Sequence, residues 1–233
     1  MTAAKLHLGW CSYEAAKYAV EHWHYSRSMP ASSRVSIGVW EDDAFIGVVI
    51  FSPGANQWLG QQFGLTQFEV CELTRVALRR HRTPVTRIIR IAITMLRRQC
   101  PGLRVIFSYA DCDQDHHGGI YAGGNWTYLG KVQLNGGTAR YRIGGRVMHG
   151  RSVGSRGWML NIDWLREHVD PKAEKVYTKG KHKYAMGLDA GMRARLAALH
   201  QPYPKRAGGD LADTSADQAE EGGSIPTPAL CST

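Results

Sequence analysis

Apolar side chains recur at helical spacing in two long stretches of this chain. Residues 12–23 have such a stripe, and Ser12 stands where a helix N-cap is expected. Residues 84–98 have a second stripe, preceded by Thr83 as its candidate N-cap. The spacing predicts two amphipathic helices here, and shorter helices are predicted over residues 158–168 and 190–199.

Short apolar runs separated by polar turns predict the strands. Glu72 and Arg75 are charged positions inside one of these runs, and a regular strand would place them on opposite faces. Charges in an apolar strand are costly unless they are paired or used, so a structural ion pair and a functional role both stay open. Strands are predicted over residues 34–40, 44–51, 68–78, 103–108, 126–134 and 139–143, with turns at residues 41–43 and 135–137.

Residues 107–130 form the stretch around which the chain is organised. A buried strand is predicted to end in a run of carboxylates and histidines, followed by two glycine pairs and the aromatics Trp126 and Tyr128. Polar loops at strand ends commonly hold the chemistry of α/β proteins. The alternative is a solvated acidic turn. The titratable residues are Asp111, Asp113, Asp115, His116 and His117.

Two further polar groups lie outside this stretch. His24 and Tyr25 follow the first helix, where His24 is a candidate base, metal ligand or ligand clamp, or simply a surface histidine. The second helix begins beside a basic turn, and a helix N-terminus with arginines favours an anion such as a cofactor pyrophosphate or a DNA phosphate. The alternative is a solvated basic face. The residues concerned are Arg79, Arg80, His81, Arg82, Thr86 and Arg87.

The charge of the chain is unevenly distributed. Residues 1–206 contain 29 Lys and Arg against 15 Asp and Glu, a net charge of +14, whereas residues 207–233 contain five acids and no Lys or Arg. So basic a folded part suggests nucleic acid as partner, with a generally basic surface as the alternative. We expect one domain over residues 1–206 and an acidic, disordered tail over residues 207–233.

The composition of the chain indicates where in the cell the protein is expected. No apolar run approaches the length of a membrane span, and the N-terminus lacks the apolar core of a signal peptide. Five scattered cysteines without a CxxC pair argue against a disulfide framework and a structural zinc site. We therefore expect an intracellular protein without a membrane partner. The oligomeric state stays open, with a homodimer as one alternative.

The predicted order of elements resembles the GNAT acyltransferase fold, an α/β (α+β) fold with a mixed, mostly antiparallel central sheet flanked by helices. The usual glycine-rich turn of that fold is replaced here by residues 79–84. More specifically, the chain resembles the Mom family of Mu-like bacteriophages. The residues that carry this resemblance are His24-Tyr25-Ser26, Met29-Pro30, Glu72-Leu73-Thr74-Arg75, Ser108-Tyr109-Ala110-Asp111, His117-Gly118, Tyr121, Asn125-Trp126 and Lys181-His182-Lys183-Tyr184.

That resemblance implies a function. The Mom family converts adenine in phage DNA to an N6-carbamoylmethyl (acetamido) adenine, which protects the DNA from host restriction enzymes. It implies a DNA adenine N6-modifying transferase in the host bacterial cytoplasm, double-stranded DNA as partner, and iron as a cofactor. The donor would be an acyl-CoA or another small carbamoylmethyl donor. The competing classes are a GNAT-type N-acyltransferase on a protein or small-molecule amine and a non-enzymatic DNA-binding protein.

We expect the target adenine to be flipped out of the duplex, since its N6 amine is otherwise held in the base stack. The candidate residues fall into four groups. Catalytic roles are expected for Asp111, His24, Tyr25, Ser108, Glu72, Arg75 and Tyr121. Metal ligands would come from His24, Asp111, His116 and His117. A cofactor would contact Arg79, Arg80, Arg82, Thr86 and Arg87. DNA would contact Arg151, Arg156, Lys181 and Lys183.

Overall fold

A computed structural model describes residues 4–31, 35–54, 58–132, 140–177 and 179–205. The chain forms two compact units. The first comprises residues 1–108, 119–129 and 184–233, and the second comprises residues 109–118 and 130–183. The predicted acidic tail lies outside the described residues, so the boundary at residue 206 stays a prediction.

The described elements begin with a strand that the sequence pattern does not predict, and they then follow the predicted order of helix, two strands, strand, helix and strand. The strands are β1 (Leu6–Trp10), β2 (Val35–Glu41), β3 (Ala44–Ser52), β4 (Val70–Leu78), β5 (Val105–Asp111), β6 (Thr127–Val132), β7 (Arg140–Ile143), β8 (Arg146–His149), β9 (Glu174–Val176) and β10 (Lys181–Gly187). The helices are α1 (Tyr13–Trp23), α2 (Val85–Gln99), α3 (Gly119–Ala122), α4 (Gly150–Gly154), α5 (Ile162–His168) and α6 (Ala190–Ala197).

The larger sheet confirms the predicted fold class. Within the described residues it has seven strands in the order β1-β2-β3-β4-β5-β10-β6. Strands β1 to β4 pair antiparallel in sequence order, and β4 pairs parallel with β5 after the crossover through α2. This is a mixed, mostly antiparallel sheet in an α/β fold.

Helix α1 is positioned by its apolar face. Ser12 accepts a hydrogen bond from the Ala15 N–H at 3.2 Å, which satisfies one of the free donors at the helix start. Ala16, Ala19 and Val20 are fully buried against a cluster of β3 and β4 side chains. The helix therefore ends at a fixed place on the sheet, and His24 is its C-terminal capping residue.

Strand β4 contains a bulge that changes which side chains share a face. Ile50 of β3 pairs with Arg75, but the next residue, Phe51, pairs with Leu73, which leaves Thr74 as an extra residue. Ser52 then pairs with Glu72. Cross-strand partners lie on one face, and Ile50 and Ser52 are two residues apart. Glu72 and Arg75 are therefore on the same face, and the expectation of opposite faces is wrong.

Several local predictions also need correction. The N-cap position of α2 is Pro84, and Thr83 forms no cap. The Thr83 hydroxyl donates instead to Glu41, at 2.6 Å. Residues 144–157 are rich in Gly, Arg and Ser, a composition typical of a loop, but they contain β8 and α4. The basic residues 179–183 and the apolar residues that follow them contain β10, where no strand is predicted. The predicted turn at residues 135–137 lies outside the described residues.

The second unit has its own small core. Strands β8, β7 and β9 form a three-stranded sheet, and Tyr141, Ile143, Val153, Leu165 and Ala173 are buried on it. Asn161 caps α5 by accepting from the N–H groups of two residues of its first turn. Across the described part of the chain, no helix is both long and apolar enough to cross a membrane.

Candidate functional site

A group of five polar side chains in the first unit forms the candidate site. We call it the polar cluster, and its members are Tyr25, Glu72, Arg75, Ser108 and Tyr121. They come from the loop after α1, from β4, from β5 and from α3. Tyr25 and Glu72 each act electrostatically on both Arg75 and Tyr121. Six of the seven predicted catalytic residues, these five and His24, thus belong to one unit of the fold.

Ser108 and Tyr121 form the buried part of the cluster. The Ser108 hydroxyl lies 2.8 Å from the Leu73 carbonyl oxygen and 2.8 Å from the Tyr121 hydroxyl. A hydroxyl has one proton, so when Ser108 donates to the carbonyl, its oxygen can accept from Tyr121. Burial raises the pKa of Tyr121 to about 12, with the bond to Ser108 opposing that rise. Tyr121 is therefore a neutral phenol at pH 7.

Arg75 is oriented by backbone carbonyl groups. Its Nε donates to the Ser28 carbonyl oxygen at 3.0 Å, and its Nη1 donates to the Thr74 carbonyl oxygen at 2.7 Å. Burial lowers the pKa of Arg75, while Tyr25 and Glu72 oppose that shift. A guanidinium still stays charged at neutral pH. The Ser28 contact also ties the loop after α1 to β4.

Glu72 lies beside a glycine that the sequence pattern marks only as a turn. Gly54 has φ +86°, a left-handed conformation that favours glycine. A Cβ added at Gly54 would lie 3.3 Å from Glu72 Oε2 and 3.0 Å from a methyl carbon of Leu59. The absence of a side chain at residue 54 therefore leaves space for the Glu72 carboxylate.

His24 and Tyr25 are held together at the end of α1. Their ring centroids are 4.4 Å apart, and Tyr25 is 50% exposed. His24 Nδ1 accepts from the Ser26 N–H at 3.1 Å and lies 2.8 Å from the Ser26 hydroxyl. An accepting Nδ1 puts the proton of the neutral ring on Nε2. In this arrangement His24 is better suited to donating a hydrogen bond than to accepting a proton.

Asp111 has different surroundings, in the second unit. It is only 5% exposed, and its Oδ1 accepts from the Asp113 N–H at 3.0 Å, which caps the 3₁₀ turn Cys112–Gln114. Its Oδ2 lies 3.4 Å from Arg140 Nη2, while Arg140 Nη1 binds Asp113 at 3.1 Å. These contacts give Asp111 a structural role. Its catalytic role stays a prediction.

The predicted iron ligands do not form a fitting set. Binding iron through His24 Nε2 would move the ring proton to Nδ1, where the Ser26 N–H already donates. His116 and His117 lie in the second unit, where desolvation lowers the pKa of His116 and Asp111 opposes that shift. Among the described residues, no group of three or more His, Cys, Asp or Glu side chains is placed to hold a metal ion.

The basic turn before α2 is also occupied by a group of the chain itself. Glu41, only 7% exposed, accepts from the Arg82 N–H at 2.9 Å and from the Thr83 N–H at 2.8 Å. Arg82 also pairs with Asp42 through its guanidinium. A pyrophosphate would need these same N–H groups, and a buried carboxylate fills their place. The turn as it stands does not fit a cofactor pyrophosphate.

The remaining predicted cofactor contacts are spread around this turn. Arg79 lies over the Trp23 ring, 5.8 Å from its centroid. Arg80 and Arg87 are exposed, and Thr86 is half-buried in the first turn of α2. None of these positions supplies a substitute for the two N–H groups that bind Glu41.

The predicted DNA contacts all lie in the second unit. Arg156 donates to the Ser152 carbonyl oxygen at 2.7 Å and stacks on Trp158, so it is partly used within the fold. Arg151 lies in α4. Lys181 and Lys183 lie in β10, and burial lowers the pKa of Lys183. The role of all four residues in DNA binding stays a prediction.

Two residues that matter to these arrangements were not among the predicted site residues. Glu41 ends β2, and its partners lie 41 and 42 residues away in the chain. Gly54 follows a proline, which indicates only a turn. The Pro-Gly pair predicts a turn at Gly54 but no contact with Glu72. No local pattern in the sequence indicates a role for Glu41.

The fold is mixed α/β, and the five residues of the polar cluster form the candidate site in its first unit. The family model of the Mom protein family matches residues 5–205. The chain therefore belongs to the Mom protein family, which confirms the resemblance seen in the sequence.

Solved structures and curated sequences were also compared with the chain. A protein described as a probable acetyltransferase of the GNAT family, from Chromobacterium violaceum, is 11% identical with a TM-score of 0.45, covering 80% of this chain and 84% of that one. A protein described as an acetyltransferase, from Acinetobacter baylyi, is 9% identical with a TM-score of 0.44, covering 82% and 97%. These likenesses decide nothing about substrate or donor. The curated protein sequences contain no match to this chain.

Proposed function

We propose that this protein converts adenine in phage DNA to N6-carbamoylmethyl adenine and so protects that DNA from host restriction enzymes. The observation that carries the proposal is that the family match over residues 5–205 includes every member of the polar cluster. The motif residues that suggested the family, from His24 to Tyr121, supply a carboxylate, a guanidinium, two phenols and a hydroxyl to one unit. The modification reaction would take place in the host bacterial cytoplasm.

Tyr25 is suited to hold the base. An enzyme that modifies the N6 amine must take the adenine out of the stack and hold it, commonly against an aromatic ring. Half of the Tyr25 surface is exposed, and its ring is steadied by the neighbouring His24 ring. Tyr121 and Trp126 are buried and pack on each other, with ring centroids 5.3 Å apart, so they support the site from within the core.

Glu72 is the group of the cluster suited to accept a proton. With a donor that carries a leaving group on its methylene carbon, N6 forms a bond to that carbon, and the leaving group departs with the electron pair of the broken bond. N6 must lose one proton, and a carboxylate in hydrogen-bond reach can take it. We assign that role to Glu72 and leave Asp111 as a supporting residue of the second unit.

Arg75 and the Ser108–Tyr121 pair would orient the reactants. The two backbone carbonyls that hold Arg75 fix the direction of its guanidinium beside Glu72. A neutral Tyr121, whose proton can be directed to Ser108, leaves a phenol oxygen that can accept a hydrogen bond. Fixed donors and acceptors of this kind help a reaction because they need no reorganisation at the moment of bond formation.

The donor is the least defined part of the proposal. An acyl-CoA and another small carbamoylmethyl donor are the two alternatives that the sequence leaves open. The Glu41 contact argues against a pyrophosphate at the Arg82 and Thr83 N–H groups, so an acyl-CoA would need a different place for its phosphates. The described residues provide no fitting iron site, and no step here depends on iron.

Nucleoside mass spectrometry tests the proposal directly. DNA from bacteria that express the wild-type chain should contain deoxyadenosine heavier by one carbamoylmethyl group in place of a hydrogen. DNA from bacteria that express Glu72→Gln should not, although the variant is soluble and binds DNA as the wild type does.

Other outcomes would favour the competing functions. Coenzyme A binding and acylation of an amine without any modified deoxyadenosine would favour a GNAT-type N-acyltransferase. DNA binding by the wild type with no modified base, in a host that supplies the donor, would favour a non-enzymatic DNA-binding protein.

A further inference from the structure

Helix α2 has an outer face made of arginine. Four of its arginines are exposed, and their spacing of three, seven and one residues keeps them close to one side of the helix. The opposite side holds the buried residues Ile88, Ile89, Ala92, Ile93 and Leu96. The exposed residues of this arginine face are Arg87, Arg90, Arg97 and Arg98.

The arginine face has no acidic counterpart. The fifteen residues of α2 include no Asp or Glu. Among the described residues, none of the four arginines forms an ion pair with a carboxylate. Like charges one turn apart destabilise a helix slightly, whereas alternating charges stabilise it. Arg97 and Arg98 in the last turn suit the helix dipole, but Arg87 in the first turn does not, so helix stability does not account for the whole arginine face.

Helix α1 of the same unit shows the ordinary arrangement. Its exposed side carries Glu14, Lys17 and Glu21, and Lys17 pairs with Glu21 at 3.8 Å across one turn. Both helices pack an apolar side on the protein and turn a charged side to solvent. Of these two helices, α2 presents charges of one sign and α1 presents both signs.

The shape at the end of α2 also suits an anion. A concave surface there is lined by Thr94, Arg97, Arg98 and Arg104, with one carboxylate, Asp189. Arg104 is paired with Asp189 at 2.8 Å and lies 3.9 Å from Glu69, so the net positive charge of this surface comes from Arg97 and Arg98.

We infer that the arginine face of α2 binds the phosphate backbone of duplex DNA, an inference that rests on the proposed DNA substrate. From Arg87 to Arg98 the helix rises about 16 Å, and one strand of DNA presents a phosphate every ~3.4 Å of its axis. The face can therefore reach several phosphates. Guanidinium groups bind phosphate with paired hydrogen bonds, whereas base edges play no part in such a contact.

The test is a salt series of binding measurements, by fluorescence anisotropy with a labelled duplex oligonucleotide. Three proteins are compared: the wild type, Arg90→Gln with Arg97→Gln, and the control Lys5→Gln with Lys17→Gln. The control removes the same charge from exposed residues that are paired with Asp43 and Glu21. Arg90 and Arg97 stand apart from the polar cluster and from the basic turn, and thermal melting verifies that each variant is folded.

The logarithm of the binding constant falls linearly with the logarithm of the salt concentration. Each lost phosphate contact makes that slope shallower by about 0.9. We expect the arginine variant to lose about 1.8 of that slope and the lysine control to keep the wild-type slope. Equal losses in both variants would mean that net charge alone matters and would overturn the inference, as would an unchanged arginine variant. In either case wild-type binding would leave the proposed function standing. A wild type that binds no duplex would overturn both.

Discussion

The two units each hold an arginine beside a buried or half-buried carboxylate, and the two pairs are built differently. Arg140 binds Asp111 and Asp113, and Asp111 also caps a turn. Arg75 is held by the carbonyl oxygens of Ser28 and Thr74 and acts on Glu72 at the same time. In the second unit the carboxylates fix the arginine. In the first unit the backbone fixes it.

That difference separates a structural pair from a candidate reactive one. A carboxylate that already caps a turn and pairs with an arginine has both of its oxygens engaged within the fold. Glu72 instead lies next to Gly54, where the backbone leaves space beside the carboxylate. In our proposal Glu72 accepts the proton and Asp111 supports the fold, and replacing each residue tests that division of roles.

Replacing Glu72 should have the largest effect on activity. Glu72→Gln keeps the size of the side chain but removes the proton acceptor, so modification should fall by about 10²- to 10⁴-fold. The measurement is the fraction of modified deoxyadenosine in cellular DNA. Thermal unfolding should be close to that of the wild type. Full modification by this variant would remove Glu72 from the reaction.

Replacing Asp111 should act mainly on stability. Asp111→Ala takes a partner from Arg140 and the cap from the Asp113 N–H, so the free energy of unfolding should fall by about 2 kcal/mol. Denaturant unfolding measures this change. The sequence alone predicts instead that the variant loses modification with its fold intact. A stable, inactive Asp111→Ala would restore Asp111 to the site and weaken the comparison.

A methyl group at residue 54 should move Glu72 without changing its chemistry. Gly54→Ala brings a Cβ to 3.3 Å from Glu72 Oε2, and misplacing a reactive group by part of an ångström can reduce the rate by 10-fold to about 100-fold. The matched control is Gly64→Ala, which also has a left-handed φ, +62°, but open space around the new Cβ. Both variants should lose about 1 kcal/mol of stability.

Only Gly54→Ala should lose modification beyond what its stability explains. Modification and denaturant unfolding are measured side by side for the two glycine variants. Equal activity of the two variants at equal stability would show that the position of the Glu72 carboxylate is not limiting.

The smallest effect is expected from the titration of Tyr121. Its folded pKa of about 12 lies above the ordinary 10, so the folded state favours the neutral phenol. The stability it contributes is fully present below pH 10 and is lost as the pH rises from 10 to about 12. Tyr121→Phe should show a shallower loss of stability over that range, measured by denaturant unfolding at stepped pH. An identical pH profile would mean that the phenol is not shielded as described.

Much of the fold could be predicted because its signals are local. The apolar stripes of α1 and α2 and the hairpin of β2 and β3 lie within stretches of about twenty residues, where periodicity reports the buried side. Short elements were missed, namely β1, α3, β8, α4, β9 and β10, since three to seven residues carry too little pattern to be distinguished from loops. Family membership was also predicted, because it depends on the order of polar motifs rather than on their contacts.

The candidate site, like the fold, could be predicted from the sequence only in part. The residue types and their order, including His24-Tyr25, Glu72 with Arg75 and Ser108, were set by the sequence alone, as was the excess of Lys and Arg over residues 1–206. The tertiary structure decided which of them act on one another. The bulge at Thr74 turns Glu72 and Arg75 to one face, and Glu41 fills the basic turn across more than forty residues. Both depend on strand pairing and long-range hydrogen bonds, which no local pattern of side chains specifies.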